Sequence, residues 1–319
     1  MDTMIYDLTI IGGGPAGVGA GVYAVRKRLK TLFITKDWDA QSSVSESIEN
    51  WIGTVKISGT NLAKSLENHL RAYAGDSVEI HTGEICTEIS KKSESPLIFS
   101  IKTSKASGET LEYEAKSVLI TTGSSRRKLD VKGADIFEHK GLTYCASCDG
   151  PLFANMDVAV IGGGNAAFES TSQLSAYCKT VYILNRGDKF RADEVTVNRV
   201  SEKSNVKIIK NALPEEVKGD KFVSGLIYKD SVSGESKEIP LSGIFVEIGA
   251  IPATSFASKL LEMDQTGHVM VDPKNQRTKT LGIWSAGDCT DGLYHQNNIA
   301  VGDGVKALED IYLFLHAGK

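Results

Sequence analysis

Cys145 and Cys148 stand two residues apart in "GLTYCASCDGPLF", with Asp149 directly behind them. Two thiols at this spacing can supply half of a zinc site, sit as inert core thiols, or close a small redox disulfide. A structural zinc site completes one such pair with a second pair or with two spaced histidines. The other cysteines, Cys86, Cys178 and Cys289, stand alone, and His139 and His295 have no partner at ligand spacing, so no metal is expected. Core thiols stay open as a reading, because free cysteine is often buried. A redox pair differs in what it demands: the spacing closes a small ring and tends to make one thiolate reactive. Asp149 would then move protons beside it, and an electron donor has to be found elsewhere in the chain.

Two stretches supply candidates for that donor. "LTIIGGGPAGVGAGVYA" begins at Leu8 and "VAVIGGGNAAFESTSQL" at Val158; each is a short β-rich run, a glycine cluster and a helical pattern. The first fits the dinucleotide fingerprint at Gly12, Gly14 and Gly17, with Pro15 and Ala16 inside it. The second fits at Gly162, Gly164 and Ala167, with Asn165 and Ala166 inside it and Glu169 just beyond. One glycine makes the tight turn, the next lets backbone approach a pyrophosphate, and the small third residue lets helix pack on strand. The phosphate rests on the helix amino terminus, where unpaired N–H groups favour negative charge.

The similarity runs on into the next strand, where "KTLFITKD" (Lys30 to Asp37) lines up with "KTVYILNR" (Lys179 to Arg186). A duplicated βαβ unit explains both. At such a strand end an acid binds free ribose hydroxyls and an arginine accommodates a 2'-phosphate. Asp37, beside Lys36, therefore suits the adenosine half of FAD, whereas Arg186 and Arg191 suit a nicotinamide cofactor. The same charges also read as ordinary solvated loop residues. Near the carboxyl terminus, "LGIWSAGDCTDG" is a strand pattern ending at Gly287 and Asp288, followed by a helical pattern from about Asn298. Beside the Gly12 fingerprint it reads as the other end of one flavin site.

These elements imply two domains, as does the length of 319 residues, because single cores stop growing near roughly 250–300 residues. The strands in "SVLITTGSS" and "SGIFVEIGAIPATS" mark the crossings, giving residues 1–121 and 251–319 for FAD and 122–250 for NAD(P) and the cysteine pair. The segment from Glu79 to Tyr113 predicts an antiparallel layer on the first domain. A net charge of −4 with both signs intermixed argues against a nucleic-acid surface. The start "MDTMIYDLTIIGGG" shows no signal segment and no apolar run is long enough for a bilayer, so a cytoplasmic protein without membrane partners is expected.

With these motifs the chain resembles the low-molecular-weight, bacterial-type thioredoxin reductases over nearly its whole length. It is also similar to the flavoprotein half of the reductase subunit of alkyl hydroperoxide reductase, in "CDGPLF", "VSGLIYKDSVSGESKEIPLSGIFVEIG" and "AGDCTD". The resemblance implies an α/β fold of two Rossmann-like, three-layer ββα domains, of pyridine nucleotide-disulfide oxidoreductase class II. It implies a homodimer holding FAD in one domain and NADPH in the other, with domain rotation between two arrangements. Cys145 becomes the thiol that attacks a partner disulfide, Cys148 the thiol against the flavin and Asp149 the acid/base. Gln41, Asn50, Gly123, Asp288 and Gln296 fall at flavin-side positions, with Gly287, His295 and Asn297 beside them. The chain lacks the thioredoxin-like amino-terminal domains of the hydroperoxide reductase protein, so a separate thioredoxin- or glutaredoxin-like carrier is the expected partner.

The chain also departs from the family pattern. Asp39 and Ala40 precede Gln41 where two glycines are usual, and His295 replaces the usual basic residue before Gln296. The phosphate-reading motif, usually His-Arg-Arg with a further arginine, is Asn185, Arg186, Gly187 and Arg191 here, so both NADPH and NADH are plausible donors. The rival readings are a flavin dithiol oxidase, a reductase with a donor other than NAD(P)H, and a redox sensor without turnover.

Overall fold

The computed structural model describes residues 4–39, 41–44 and 48–317, and the chain divides into two compact units, residues 1–125 with 251–319 and residues 126–250. In the first unit five strands form a parallel sheet in the order Ile283–Ser285, Val118–Ile120, Leu8–Ile11, Thr31–Thr35, Val78–Thr82. Its central strands read as continuous apolar runs because both faces are covered. On one face Leu8, Ile10, Phe33 and Trp284 pack against the helices Pro15–Arg26 and Asn297–His316. On the other, Ile11, Leu32 and Ile34 meet Phe99 and Ile101 of an antiparallel sheet. Each such fully buried side chain contributes about 1.5–3 kcal/mol, so the α/β/β sandwich is held from both sides.

The antiparallel layer differs from the sequence expectation at its start. Val78–Thr82 pairs in parallel with Thr31–Thr35, and the antiparallel pairing begins only at Glu84. The reason is topological: the helix Gly59–Ala74 after Thr31–Thr35 provides the crossover that returns the chain parallel to that strand.

The second unit repeats the scheme. Its parallel sheet runs Leu142–Thr143, Gly243–Val246, Asp157–Ile161, Thr180–Leu184, Val206–Ile209. Val158, Val160 and Phe245 face the helix Asn165–Leu174 through Phe168 and Leu174, while Ala159, Ile161 and Ile244 face the antiparallel strands Ala212–Gly219, Val223–Asp230 and Ser236–Pro240. Both units are thus Rossmann-like with three layers, ββα, as the duplicated motifs imply. Among the described residues no helix is long and apolar enough to cross a membrane.

Candidate active site

Cys145 and Cys148 are joined as a disulfide with Cα atoms 5.3 Å apart. Cys145 is the extended N-cap of the short helix Ala146–Asp149, and its Sγ accepts a hydrogen bond from the Cys148 amide at 3.2 Å. The turn therefore places both sulfurs on one side of a single helical step. Asp149 closes that step: its amide donates to Cys145 O at 3.0 Å, and its Oδ2 accepts a hydrogen bond from Thr143 Oγ1. Thr143 ends the edge strand Leu142–Thr143, so the sheet itself fixes the carboxylate. The sequence reading missed Thr143; a hydroxyl on the strand leading into the cysteine turn was the available signal. All three of Cys145, Cys148 and Asp149 are half-buried, reachable yet supported.

The remaining cysteines are core thiols. Cys86, Cys178 and Cys289 are buried, and burial pushes the thiol of Cys86 up to about 12 and that of Cys178 up to about 11. Burial raises Cys289 too, in spite of its contact with Ser285. Among the described residues no group of three or more His, Cys, Asp or Glu is arranged to hold a metal ion.

The first fingerprint lies in the first unit. Gly12 has φ +121°, and a Cβ there would strike the Thr121 carbonyl oxygen, so only glycine fits. Gly14 is the N-cap of Pro15–Arg26 and no side chain caps the helix. Ala16 lies against Gly287, whose added Cβ would meet that of Ala16 at 3.1 Å, so the two ends of the chain converge on one helix start. In the same unit, Gln41 Nε2 donates to Ser124 O at 3.1 Å, just after Gly123, which has φ +65°. Asn50 Nδ2 donates to Gln296 Oε1 at 3.2 Å at the start of the helix Asn297–His316. Asp37 and Lys36 are exposed and 3.5 Å apart, and Asp288 is half-buried after Gly287. The Asp39 amide donates to Asp37 Oδ1, and Ala40 lies outside the described residues. His295 stacks on His268 with ring centroids 5.9 Å apart, and its Nε2 is buried without a hydrogen-bond partner. Buried polar atoms are ordinarily paired. The uncapped helix start fits the anionic pyrophosphate of a dinucleotide such as a flavin dinucleotide.

The second fingerprint lies in the second unit. Gly162 has φ +153°, and a Cβ on it would strike Glu247 O. Gly164 is the N-cap of Asn165–Leu174, again with no side-chain cap, and a Cβ there would enter open space. That cradle fits a pyrophosphate. Asn165 exchanges two hydrogen bonds with Asp193, at 3.0 and 2.8 Å, and Ala166 and Glu169 are exposed on the same helix. The Arg191 amide donates to Gly163 O at 2.7 Å, and Asn185 Nδ2 bonds Gly187 O and Lys189 O at 2.7 and 3.0 Å. The loop between Asn185 and Arg191 is thereby folded onto the fingerprint turn. Arg186 and Arg191 are exposed, and neither forms an ion pair among the described residues.

Comparison with known proteins agrees with this geometry. Residues 6–304 match the family described as pyridine nucleotide-disulphide oxidoreductase. The chain is similar to an alkyl hydroperoxide reductase subunit of Escherichia coli (38% identical over 303 residues) and to an NADH dehydrogenase of Bacillus subtilis (36% over 302 residues). Both matches cover 95% of this chain but 57% of the relative, so the chain spans little more than half the length of these relatives. Among solved structures it is similar to a thioredoxin reductase from Giardia duodenalis, with TM-score 0.89, 32% identity, and coverage of 98% of this chain and 99% of that one. Another, from Streptococcus pyogenes, gives TM-score 0.85 and 31% identity over 98% and 99% of the two chains. The paired fingerprints, the Cys145–Cys148 bond and a family match across residues 6–304 establish that the chain belongs to the pyridine nucleotide-disulphide oxidoreductases.

Proposed function

We propose that this oxidoreductase is a FAD-dependent disulfide reductase that passes electrons from NADPH, NADH or both to a disulfide on a thioredoxin- or glutaredoxin-like protein. Residues 1–121 and 251–319 would hold FAD and residues 122–250 the nucleotide. A homodimer in the cytoplasm, where thiols are kept reduced, belongs to the same reading. The observation that carries it is the closed Cys145–Cys148 bond with Asp149 held beside it by Thr143.

When bound, the nicotinamide and flavin supply the hydride and two-electron chemistry. Gly12 and Gly14 would seat the flavin pyrophosphate, with Gln41, Asn50, Gly123, Asp288, Gln296 and Asn297 around the rest. Gly162 and Gly164 would seat that of the nucleotide, with Arg186 and Arg191 available to a 2'-phosphate. Two electrons and two protons open the Cys145–Cys148 bond. Cys145, as thiolate, attacks one sulfur of the carrier disulfide, which releases the first carrier thiol and leaves a mixed disulfide. Cys148 then attacks Cys145 Sγ, closing the ring again and releasing the second thiol. Asp149 takes and returns the proton that these steps move, while Thr143 holds it in place.

Replacing Cys145 by Ser tests the reading. Reduction of the flavin by nucleotide should persist while reduction of a thioredoxin disulfide stops. Carrier reduction at the wild-type rate would refute it.

A further inference from the structure

Glu247 follows the strand Gly243–Val246 at its carboxyl end, beside Asp157–Ile161. Its amide donates to Ile161 O at 2.8 Å, and its carbonyl lies against Gly162, so its backbone is fixed to the second fingerprint turn. Its side chain is only 6% exposed. Oε1 accepts from Ser170 Oγ at 2.7 Å, and Oε2 lies 3.6 Å from the Arg126 guanidinium. Ser170 is buried on the helix Asn165–Leu174, and Arg126 ends the strand Ser124–Arg126 that leads the chain into the second unit. Two residues beyond Glu247, Gly249 O accepts from the Arg127 amide at 3.0 Å. Glu247 therefore touches the fingerprint turn through its backbone, and its carboxylate touches the helix through Ser170 and the chain crossing through Arg126.

The Glu247 carboxylate is buried while the Arg126 side chain is 28% exposed, and taking a carboxylate out of water costs free energy that a partner repays only with good geometry. Burial holds the Glu247 carboxyl above its ordinary range, and Arg126 and Ser170 offset this only in part. Among the described residues no other carboxylate pairs with Arg126.

We propose that Glu247 is a positioning residue that couples nucleotide occupancy of the Gly162–Gly164 turn to the chain crossing at Arg126. This rests on the reading of the second unit as the nucleotide site. A pyrophosphate seated on the helix start draws in the turn and the helix. Both movements reach Glu247, through its backbone and through Ser170. Arg126 follows the carboxylate, and the crossing tightens when the nucleotide is present.

The test is amide hydrogen exchange on the flavin-loaded protein with and without saturating NADH or NADPH, following peptides that cover residues 122–128 and 247–253, with a binding isotherm from the same samples. Wild type should slow exchange in both peptides by roughly 5-fold or more on nucleotide addition, the lower end of ordinary coupling between linked sites. Glu247→Gln and Ser170→Ala should each bind nucleotide and lose that slowing; the second variant keeps the test open if the first folds poorly. A purely structural role would lower the melting temperature of both variants and leave the nucleotide response intact. Binding with equal slowing in wild type and variants, or binding without slowing in wild type, overturns the coupling alone. A flat isotherm in wild type overturns the nucleotide reading of the second unit and the coupling with it.

Discussion

Thr143 Oγ1 donates a hydrogen bond to Asp149 Oδ2, across the turn that carries the Cys145–Cys148 disulfide. The strand end supplies the hydroxyl and the helical step supplies the carboxylate, so the acid has one orientation with respect to both sulfurs. A positioned acid/base group contributes about 10²–10⁴ in rate. Asp149→Asn should lose turnover with a disulfide carrier by about that factor while retaining flavin. Thr143→Val should cost less, because it frees the carboxylate without removing it. Steady-state rates across pH check both, and an unchanged rate in Asp149→Asn would reduce Asp149 to a turn residue.

Much of this fold is legible in the residues. The two glycine fingerprints and the strands after them mark a duplicated βαβ unit, and the family resemblance follows from those and "CASCD". What was hidden depends on contacts between distant positions. Nothing local in "FVEIG" says that Glu247 turns inward to meet Ser170 and Arg126, since the alternation of a buried parallel strand carries no partner information. Val78–Thr82 alternates weakly and resembles the antiparallel strands that follow; only its parallel pairing with Thr31–Thr35 separates them. Nothing in the sequence of the loop after Asn185 says that the Asn185 amide organises its backbone, at Gly187 and Lys189.

Thiol chemistry should discriminate the five cysteines sharply. Burial holds Cys86 near 12 and Cys178 near 11, and raises Cys289, so at mildly alkaline pH none of the three presents an accessible thiolate. After reduction and brief treatment with iodoacetamide, mass spectrometry should find adducts on Cys145 and Cys148 only. Comparable labelling of Cys178 in the native protein would contradict the burial argument.

The Glu247 carboxyl should leave a mark on stability. Burial, with a smaller contribution from Glu169, raises it above the ordinary 4.5, and Arg126 and Ser170 pull it back only partly. Below 4.5 both folded and unfolded chains hold the proton. As pH rises from there towards the folded value, the unfolded chain ionises first, so stability falls through that window and stays lower above it. Glu247→Gln has no such titration. The melting temperature of wild type minus that of Glu247→Gln should therefore decline as pH rises from 4.5; a difference that rises instead would reverse the sign.

Nucleotide preference should respond to the loop after Asn185. Arg186 is exposed, and a Cβ on Gly187 meets nothing within 4 Å, so an arginine there has room. A charge-assisted hydrogen bond contributes about 1.5–3 kcal/mol, which corresponds to roughly tenfold or more in affinity. Arg186→Ala should raise KM for NADPH by about tenfold and leave KM for NADH nearly unchanged. Gly187→Arg should shift preference toward NADPH. Equal effects on both nucleotides would remove Arg186 from phosphate recognition.

The proposed relay from nucleotide through flavin to the cysteine pair is tested most directly by counting reducing equivalents in an anaerobic titration of the flavin-loaded protein. Wild type should take up about two equivalents of NADH or NADPH per flavin, one for the flavin and one for the disulfide, and the Cys145→Ser/Cys148→Ser double variant about one. Equal uptake by the two proteins, or a flavin that neither nucleotide bleaches, would contradict the account.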